Sequence, residues 1–367
     1  MKSILIGYLI GNQKSGIDTY LLNTAATLCE AGYQIDFLTN KKNEYLENLL
    51  AEKGMGLFEI PSLKHPMKQY NVMKQIYKQK HYDIAYFNIS EAFLCTGVIA
   101  AKKMNIKKII VHSHNTGINE TSKLKKVIRG TMHNFFKNLV LRKMVTERFA
   151  CSELAAKWMF DKDAIKNKNY KIIHNAIQTE KFAYSEEKSL MKREELGIKD
   201  KFVIGHVSGF TPQKNVSFLI DVIDQAKNMN SNAYLVLVGE GRELDIVKEK
   251  VAAMHLEEYV LFLGKRNDVN DILQAFDAFV LPSLFEGAPV VAIEAQVSGL
   301  MVYLSDTITR EVKLSEKCQY ISLEKTPKEW AEVILSNQDY DREHSDFSNA
   351  TYCFDTKKQA EALIKSF

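Results

Sequence analysis

The chain has 367 residues, enough for two compact domains with separate hydrophobic cores. Its 46% hydrophobic and 26% charged residues are typical of folded globular proteins and argue against a disordered or membrane-spanning chain. The net charge of +4 is too small to indicate nucleic-acid binding, so we expect no nucleic-acid partner.

The five cysteines are far apart and form no CxxC pair, which predicts free thiols rather than disulfides or a zinc site. They are Cys29, Cys95, Cys151, Cys318 and Cys353. The N-terminus enters a strand-like run at once and does not resemble a signal peptide. No apolar run reaches the roughly 20 residues that a membrane-spanning helix needs. We therefore expect a cytoplasmic protein whose membrane contact, if any, is peripheral and at the inner face.

In the first half of the chain, short β-branched and aromatic runs alternate with amphipathic stretches, a pattern typical of βα units and a parallel sheet. The predicted strands are residues 4–8, 35–38, 84–87, 109–111, 148–150 and 172–174. These elements predict an N-terminal Rossmann-like domain over residues 1–177.

One predicted helix, residues 123–145, is unusual because its apolar and basic residues alternate without any acid. The apolar residues at helical spacing are Leu124, Val127, Ile128, Met132, Phe135, Phe136, Leu139, Val140 and Met144. The basic residues are Lys123, Lys125, Lys126, Arg129, Lys137, Arg142 and Lys143. Two interpretations stay open. The apolar stripe packs on the sheet while the lysines face water, or the helix contacts an anionic membrane or an acidic acceptor.

The second half repeats the alternation. Residues 178–200 are polar and without apolar period, so we interpret them as a linker with a short helix. Strands are predicted at 202–207, 235–238, 260–263, 278–281, 302–304 and 320–322. They define a second Rossmann-like domain over 201–350, followed by a C-terminal helix within 351–367.

The stretch 281–295, Leu-Pro-Ser-Leu-Phe-Glu-Gly-Ala-Pro-Val-Val-Ala-Ile-Glu-Ala, carries the clearest chemical signal. It follows a strand and opens a helix at about Pro289. A helix N-terminus at the carboxyl edge of a parallel sheet offers free N–H groups to a phosphate. Glu286 in the turn can accept hydrogen bonds from sugar hydroxyls, and Glu294 in the helix from ribose hydroxyls. The alternative is that the carboxylates of Glu286 and Glu294 only face solvent. The surrounding prolines and glycine disfavour this alternative.

This stretch resembles the EX7E motif of the family-four retaining glycosyltransferases, among them capsular and exopolysaccharide enzymes. Further matching pieces lie in the same order along almost the whole chain, at residues 15–20, 112–115, 150–153, 173–177, 212–215, 238–241, 263–269 and 294–300. The resemblance implies a GT-B fold, with two Rossmann-like domains facing a central cleft. It also implies that the first domain binds the acceptor, the second binds the nucleotide-sugar, and the C-terminal helix returns to the first domain.

The resemblance assigns roles residue by residue. Lys214 would stabilise the leaving diphosphate, Glu286 would hold the sugar, and His114 would reach the transferred sugar from the first domain. Gly16 would face the diphosphate and sugar, and the base would rest near Lys265–Val269. The remaining donor-binding residues would be Gly209, Gly239, Gly241, Arg266, Val269, Gly287, Ala288, Pro289, Val290 and Glu294.

The implied activity is retaining transfer of a sugar from a nucleotide-sugar, preferentially a UDP-sugar, to a saccharide or lipid-linked saccharide in surface polysaccharide biosynthesis. The resemblance also implies that no metal or cofactor is needed, and the sequence agrees, since Asp161-Lys162-Asp163 does not follow a strand as a metal-binding DxD would. Two departures stand out. Gly209 occupies the place of an arginine that acts on the diphosphate, and Ser15 replaces a glycine. A non-catalytic GT-B subunit that binds acceptor or donor and supports a partner enzyme is therefore the second hypothesis.

Overall fold

The computed structural model describes residues 2–9, 16–62, 65–118, 120, 122–337, 340–342 and 354–367. The chain divides into two units. Unit 1 comprises residues 1–176 together with 356–367, and unit 2 comprises residues 177–355.

Unit 1 contains a sheet of seven parallel strands in the order β3-β2-β1-β4-β5-β6-β7. The strands are β1 (Ser3–Leu9), β2 (Gln34–Thr39), β3 (Gly56–Glu59), β4 (Ile84–Asn88), β5 (Lys108–Ser113), β6 (Glu147–Ala150) and β7 (Lys171–Ile172). The edge strand β3 was not predicted, because its four residues include only two apolar ones and none is fully buried.

Nine α-helices of the described residues belong to unit 1. They are α1 (Gly16–Glu30), α2 (Glu44–Glu52), α3 (Pro66–Gln79), α4 (Thr96–Lys103), α5 (Lys123–Phe136), α6 (Arg142–Met144), α7 (Glu153–Met159), α8 (Lys162–Lys166) and the C-terminal α15 (Thr356–Ile364). The last of these buries Leu363 completely in the same core as Ile4 and Tyr86. Lys2 Nζ also donates to the carbonyl oxygen of Phe367 at 2.9 Å.

Unit 2 contains six parallel strands in the order β10-β9-β8-β11-β12-β13. They are β8 (Phe202–Val207), β9 (Ala233–Val238), β10 (Val260–Gly264), β11 (Ala278–Leu281), β12 (Met301–Ser305) and β13 (Cys318–Ile321). Its helices are α9 (Glu186–Glu195), α10 (Val216–Met229), α11 (Leu244–Ala253), α12 (Val269–Gln274), α13 (Val290–Val297) and α14 (Pro327–Leu335). The predicted α/β class with two Rossmann-like parallel sheets is confirmed.

Residues 178–200, predicted to be a linker with a short helix, fall within unit 2 and contain the helix α9. Helix α9 is fixed there by Arg193, which pairs with Asp277 at 3.1 Å and donates to the carbonyl oxygen of Ala275 at 2.9 Å. Polar contacts hold this segment, so an apolar period could not have revealed it.

The helix predicted over 123–145 consists of α5, a π-helical segment (Lys137–Leu141) and α6. The first interpretation was wrong for six of the nine apolar residues, since their side chains are exposed and do not pack on the sheet. These six are Leu124, Val127, Ile128, Met132, Phe135 and Leu139.

Within the described ranges, no helix combines the length and the apolar character that crossing a bilayer requires. Four cysteines, Cys29, Cys95, Cys151 and Cys318, are free thiols, and Cys353 lies outside the described residues.

Candidate nucleotide-sugar site

The neighbouring strands β8 and β11 of unit 2 bring two segments of the predicted site together. Lys214 ends the short 3-10 turn Pro212–Lys214 that follows β8, and Glu286 lies in the loop after β11. Their side chains form an ion pair between Lys214 Nζ and Glu286 Oε1. Glu286 is only 7% exposed, so the pair sits in a partly water-excluded position.

Hydrogen bonds fix the loop after β11 from both sides. The backbone carbonyl oxygen of Gln213 accepts a hydrogen bond from the Leu284 amide at 2.8 Å. The Gln213 side chain donates through Nε2 to the Phe285 carbonyl oxygen, also at 2.8 Å. On the opposite side, Thr307 Oγ1 donates to the Ser283 carbonyl oxygen at 2.8 Å. Glu286 itself forms a parallel bridge with Ile308. The backbone on either side of the Glu286 carboxylate is thus held in place.

The loop runs directly into α13. Pro289 caps this helix, which begins at Val290, one residue later than predicted. Gly287 and Ala288 are buried between Glu286 and the helix start. The first turn of α13 therefore begins four residues after Glu286, and amides at a helix N-terminus can bind a phosphate.

Glu294 lies in α13 and is half-buried. Its carboxylate makes no hydrogen bond or ion pair to the described residues, and burial raises its pKa to about 7. A desolvated acceptor without a protein partner is suited to ligand hydroxyl groups.

Two glycines bring the loop after β9 against the segment that follows β8. Gly239 has φ +137°, and a Cβ there would lie 1.8 Å from the carbonyl oxygen of Ser208. A Cβ at Gly241 would lie 2.3 Å from the carbonyl oxygen of Phe210. Both positions therefore require glycine for close backbone approach.

Gly209 is different, because it is exposed and a Cβ there would meet only the Glu240 carbonyl oxygen, at 3.8 Å. A longer side chain would fit at this position. The nearby His206 is buried, with Nε2 2.6 Å from Ser208 Oγ, and burial lowers its pKa to about 4.

Arg266 and Val269 lie beyond β10, where Val269 begins α12. Arg266 Nε and Nη2 donate to the two carboxylate oxygens of Asp268 at 2.8 and 2.6 Å. This contact raises the pKa of Arg266. Its guanidinium is therefore engaged locally and is a poor substitute for a diphosphate-binding arginine at position 209. Arg242 is exposed and directly follows Gly241.

Gly16 and His114 lie in unit 1, and the other predicted site residues lie in unit 2. Gly16 begins α1, while Ser15 is outside the described residues. The His114 ring nitrogens lie 2.7 Å from the side-chain oxygens of Asn175 and Asn88. Burial lowers the pKa of His114 to about 4, so the ring is neutral at physiological pH.

The two asparagines were not singled out as His114 partners from the sequence. Asn88 is the last residue of β4, and Asn175 follows β7. Their position at the carboxyl ends of strands was the available signal.

Comparisons with known proteins show the family of the chain. The family described as glycosyl transferases group 1 matches residues 189–352, and the family described as glycosyltransferase family 4 matches residues 14–181. The UDP-Gal:alpha-D-GlcNAc-diphosphoundecaprenol alpha-1,3-galactosyltransferase of Escherichia coli is 30% identical over 304 residues, covering 80% of this chain and 76% of that protein. The chain belongs to the family-four glycosyltransferases of the GT-B type.

Another relative of this glycosyltransferase is the putative glycosyltransferase EpsF of Bacillus subtilis. It is 29% identical and covers 98% of this chain and 94% of the relative. The solved structure of Anabaena HepE in complex with UDP-glucose has a TM-score of 0.79 at 20% identity and covers 100% of both chains. Sucrose-phosphate synthase from Thermosynechococcus elongatus has a TM-score of 0.77 at 16% identity, covering 100% of this chain and 98% of that one. At these identities the structures show a shared fold.

The aspartates of the Asp161-Lys162-Asp163 sequence have local roles in this glycosyltransferase. Asp161 caps α8 by accepting from the Asp163 and Ala164 amides, and Asp163 pairs with Arg142 at 2.6 Å. In the part of the chain that the structure describes, no three His, Cys, Asp or Glu side chains are grouped as metal ligands.

Proposed function

We propose that this glycosyltransferase transfers a sugar from a UDP-sugar to a saccharide or lipid-linked saccharide in surface polysaccharide biosynthesis. We further propose that transfer retains the anomeric configuration and needs no divalent metal. The observation that carries the proposal is the Lys214–Glu286 ion pair beside the N-terminus of α13. A cation, the amides of the first helical turn and a carboxylate that accepts hydrogen bonds from sugar hydroxyls would then act on the same donor.

Lys214 and the amides at the start of α13 would bind the donor diphosphate. Negative charge grows on the diphosphate as the glycosidic bond breaks, and a preorganised cation in a partly dry site stabilises that charge. The pairing with Glu286 orients the ammonium group before the donor arrives. On binding, Lys214 would turn to the phosphate and leave Glu286 free to accept hydrogen bonds from sugar hydroxyls.

These groups all act on the leaving side of the bond. They suit a reaction in which the acceptor attacks on the face that the diphosphate vacates, which retains the configuration. The uridine preference is supported by HepE, whose structure contains UDP-glucose, and by the E. coli relative, whose name gives UDP-Gal as donor. That name also gives a diphosphoundecaprenol acceptor, which supports a lipid-linked substrate.

In unit 1, we propose His114 as a saccharide contact. Its neutral imidazole would give up the hydrogen bond to Asn88 or Asn175 and bond a sugar hydroxyl instead, without bringing a positive charge.

Release of nucleotide from a panel of UDP-, GDP- and ADP-sugars tests the proposal. We expect slow hydrolysis of at least one UDP-sugar, at a rate that EDTA does not change. NMR of the glycoside formed by transfer should show the same anomeric configuration as the donor sugar. Lys214→Ala should lower the rate by a factor on the order of 10² to 10³. Lys250→Ala is the matched control, because Lys250 is also half-buried and pairs with Asp221 at 2.6 Å in the same unit.

The second candidate, a non-catalytic subunit that binds acceptor or donor and supports a partner enzyme, is favoured by Gly209, where the family usually has arginine. The open space at its Cβ makes Gly209→Arg a feasible test, with Gly209→Gln as an uncharged control of similar length. We expect Gly209→Arg not to reduce donor hydrolysis. If the unsubstituted protein binds UDP-sugars but hydrolyses and transfers none, the second candidate is correct.

A further inference from the structure

Helix α5 turns two polar residues, Arg129 and His133, toward the rest of unit 1. Arg129 Nε donates to Glu91 Oε2 at 3.1 Å, and the Glu91 side chain is buried. His133 is buried, accepts from the Ala92 amide at 3.0 Å and stacks on Trp158. These contacts fix the rotation of the helix about its axis.

The opposite side of this helix is apolar and faces outward. We define the apolar face as Leu124, Val127, Ile128, Met132, Phe135 and Leu139, each between 42% and 71% exposed. Their spacing of three and four residues places them in one row along the helix. Single exposed apolar residues are ordinary, but a continuous row indicates a surface that a partner covers.

Lys125 lies beside the apolar face, Lys143 lies at its C-terminal end, and Lys126 lies on the side of His133. Lys123, Lys125, Lys126 and Lys143 are exposed, and no acidic residue occurs between residues 122 and 145. Two copies of this chain docked face to face would bring these lysines together, which Coulomb repulsion disfavours. An anionic lipid bilayer matches both the apolar row and the lysines, because its acyl chains are apolar and its headgroups are negatively charged.

We propose that the apolar face inserts into the interfacial region of an anionic lipid bilayer, with the flanking lysines at the headgroups. The inference rests on unit 1 alone and goes beyond the proposed function. If the acceptor is lipid-linked, the same contact would bring the glycosyltransferase to the membrane that holds it.

Co-sedimentation with lipid vesicles tests the proposal. We expect the protein to bind phosphatidylcholine vesicles that contain about one third phosphatidylglycerol, and to bind pure phosphatidylcholine vesicles much less. Added salt should weaken the binding because it screens the lysines. No detectable binding to the anionic vesicles would overturn the proposal.

Substitution of the apolar face separates insertion from charge attraction alone. Leu124→Ser with Phe135→Ser should lower partitioning at least about 10-fold, because two large apolar side chains no longer enter the interface. Met67→Ser, on the exposed side of α3 in the same unit, is the matched control and should change nothing. An equal loss of vesicle binding in the Leu124→Ser/Phe135→Ser variant and in Met67→Ser would contradict the proposed surface.

The flanking lysines have their own test. Lys125→Gln with Lys143→Gln should lower binding to anionic vesicles about 25-fold, at roughly 5-fold for each lysine. Lys102→Gln with Lys103→Gln, exposed at the end of α4, is the control of equal charge change. A dimer that the Leu124→Ser/Phe135→Ser variant abolishes, with no vesicle binding, would show that a second copy covers the face and overturn the proposal.

UDP-glucose affinity, measured by calorimetry on the same proteins, distinguishes this proposal from the proposed function. All face variants should retain it. If vesicle binding fails while UDP-glucose binds and is hydrolysed, only the membrane contact is refuted. If the protein binds the anionic vesicles but neither binds nor hydrolyses UDP-glucose, only the transferase proposal is refuted.

Discussion

Lys214 and Glu286 hold each other in place across 72 residues of sequence. A lysine that faces a carboxylate in a partly buried position is already oriented when an anionic ligand arrives, so less side-chain freedom is lost on binding. Glu294 lies eight residues further along and has no such partner in the described structure. The two carboxylates of the motif therefore have different surroundings: Glu286 faces a cation, and Glu294, within the described residues, does not.

The raised pKa of Glu294 predicts a pH dependence of donor binding. Below pH 7 the carboxyl is protonated and is a weaker acceptor for ribose hydroxyls, whereas above it the carboxylate is charged. We expect UDP-glucose affinity to rise about 10-fold between pH 6 and pH 8, by linkage to a single group. UDP-glucose is the suitable ligand because its diphosphate does not titrate in this range. Calorimetry at the two pH values measures the change.

Glu294→Ala should weaken UDP-glucose binding at pH 8 and remove most of its pH dependence. Glu249→Ala, on the exposed side of α11, should keep both. Equal affinity of the unsubstituted protein and Glu294→Ala would contradict the ribose assignment.

At the scale of elements, α15 shows how a helix distant in sequence completes a core. Thr356–Ile364 belongs to unit 1 although the residues just before it belong to unit 2. Its fully buried residue Leu363 packs against the side chains of β1 and β4. Lys108 Nζ, at the start of β5, adds a hydrogen bond to the Ser366 carbonyl oxygen at 2.6 Å.

Leu363→Ala should lower the free energy of unfolding of unit 1 by about 2–5 kcal/mol, because a cavity is left in its core. Hydrogen exchange followed by mass spectrometry assigns the loss of protection to one unit or the other. The strands of unit 1 should exchange faster while those of unit 2 stay protected. Glu361→Ala, exposed on the same helix, is the control. Faster exchange confined to unit 2 would contradict this assignment of α15.

At the scale of the whole molecule, buried neutral histidines occur in both units. Burial lowers the pKa of His133 and His114 in unit 1, and of His206 in unit 2, from 6.5 to about 4. Burial also lowers the pKa of His112 well below its usual value. Between these pKa values the unfolded chain binds protons that the folded chain does not, so stability decreases as the pH falls.

We therefore expect full stability above about pH 6.5 and a progressive loss down to about pH 4, amounting to about 2 kcal/mol at pH 5 for each of His114, His133 and His206. Urea unfolding at pH 7 and pH 5, with hydrogen exchange to resolve the two units, measures the decrease. His206→Gln removes the titrating group from unit 2 and should reduce the decrease there, while unit 1 behaves as before. An unchanged pH dependence of unit 2 in this variant would show that His206 does not contribute.

The amino-acid sequence by itself determined the two parallel sheets, because alternation of apolar strands and amphipathic helices is a local pattern. It also singled out Glu286 and Glu294, since turn, proline and glycine chemistry mark the start of α13, whereas Lys214 was assigned through the family resemblance. Only the tertiary structure decided that Lys214 meets Glu286, that asparagines flank His114, and that α5 turns its apolar side outward. It also decided that residues 178–200 join unit 2. The reason is physical: periodicity records which residues are apolar, whereas the rotation of a helix and the pairing of distant polar groups depend on packing between segments far apart in the chain.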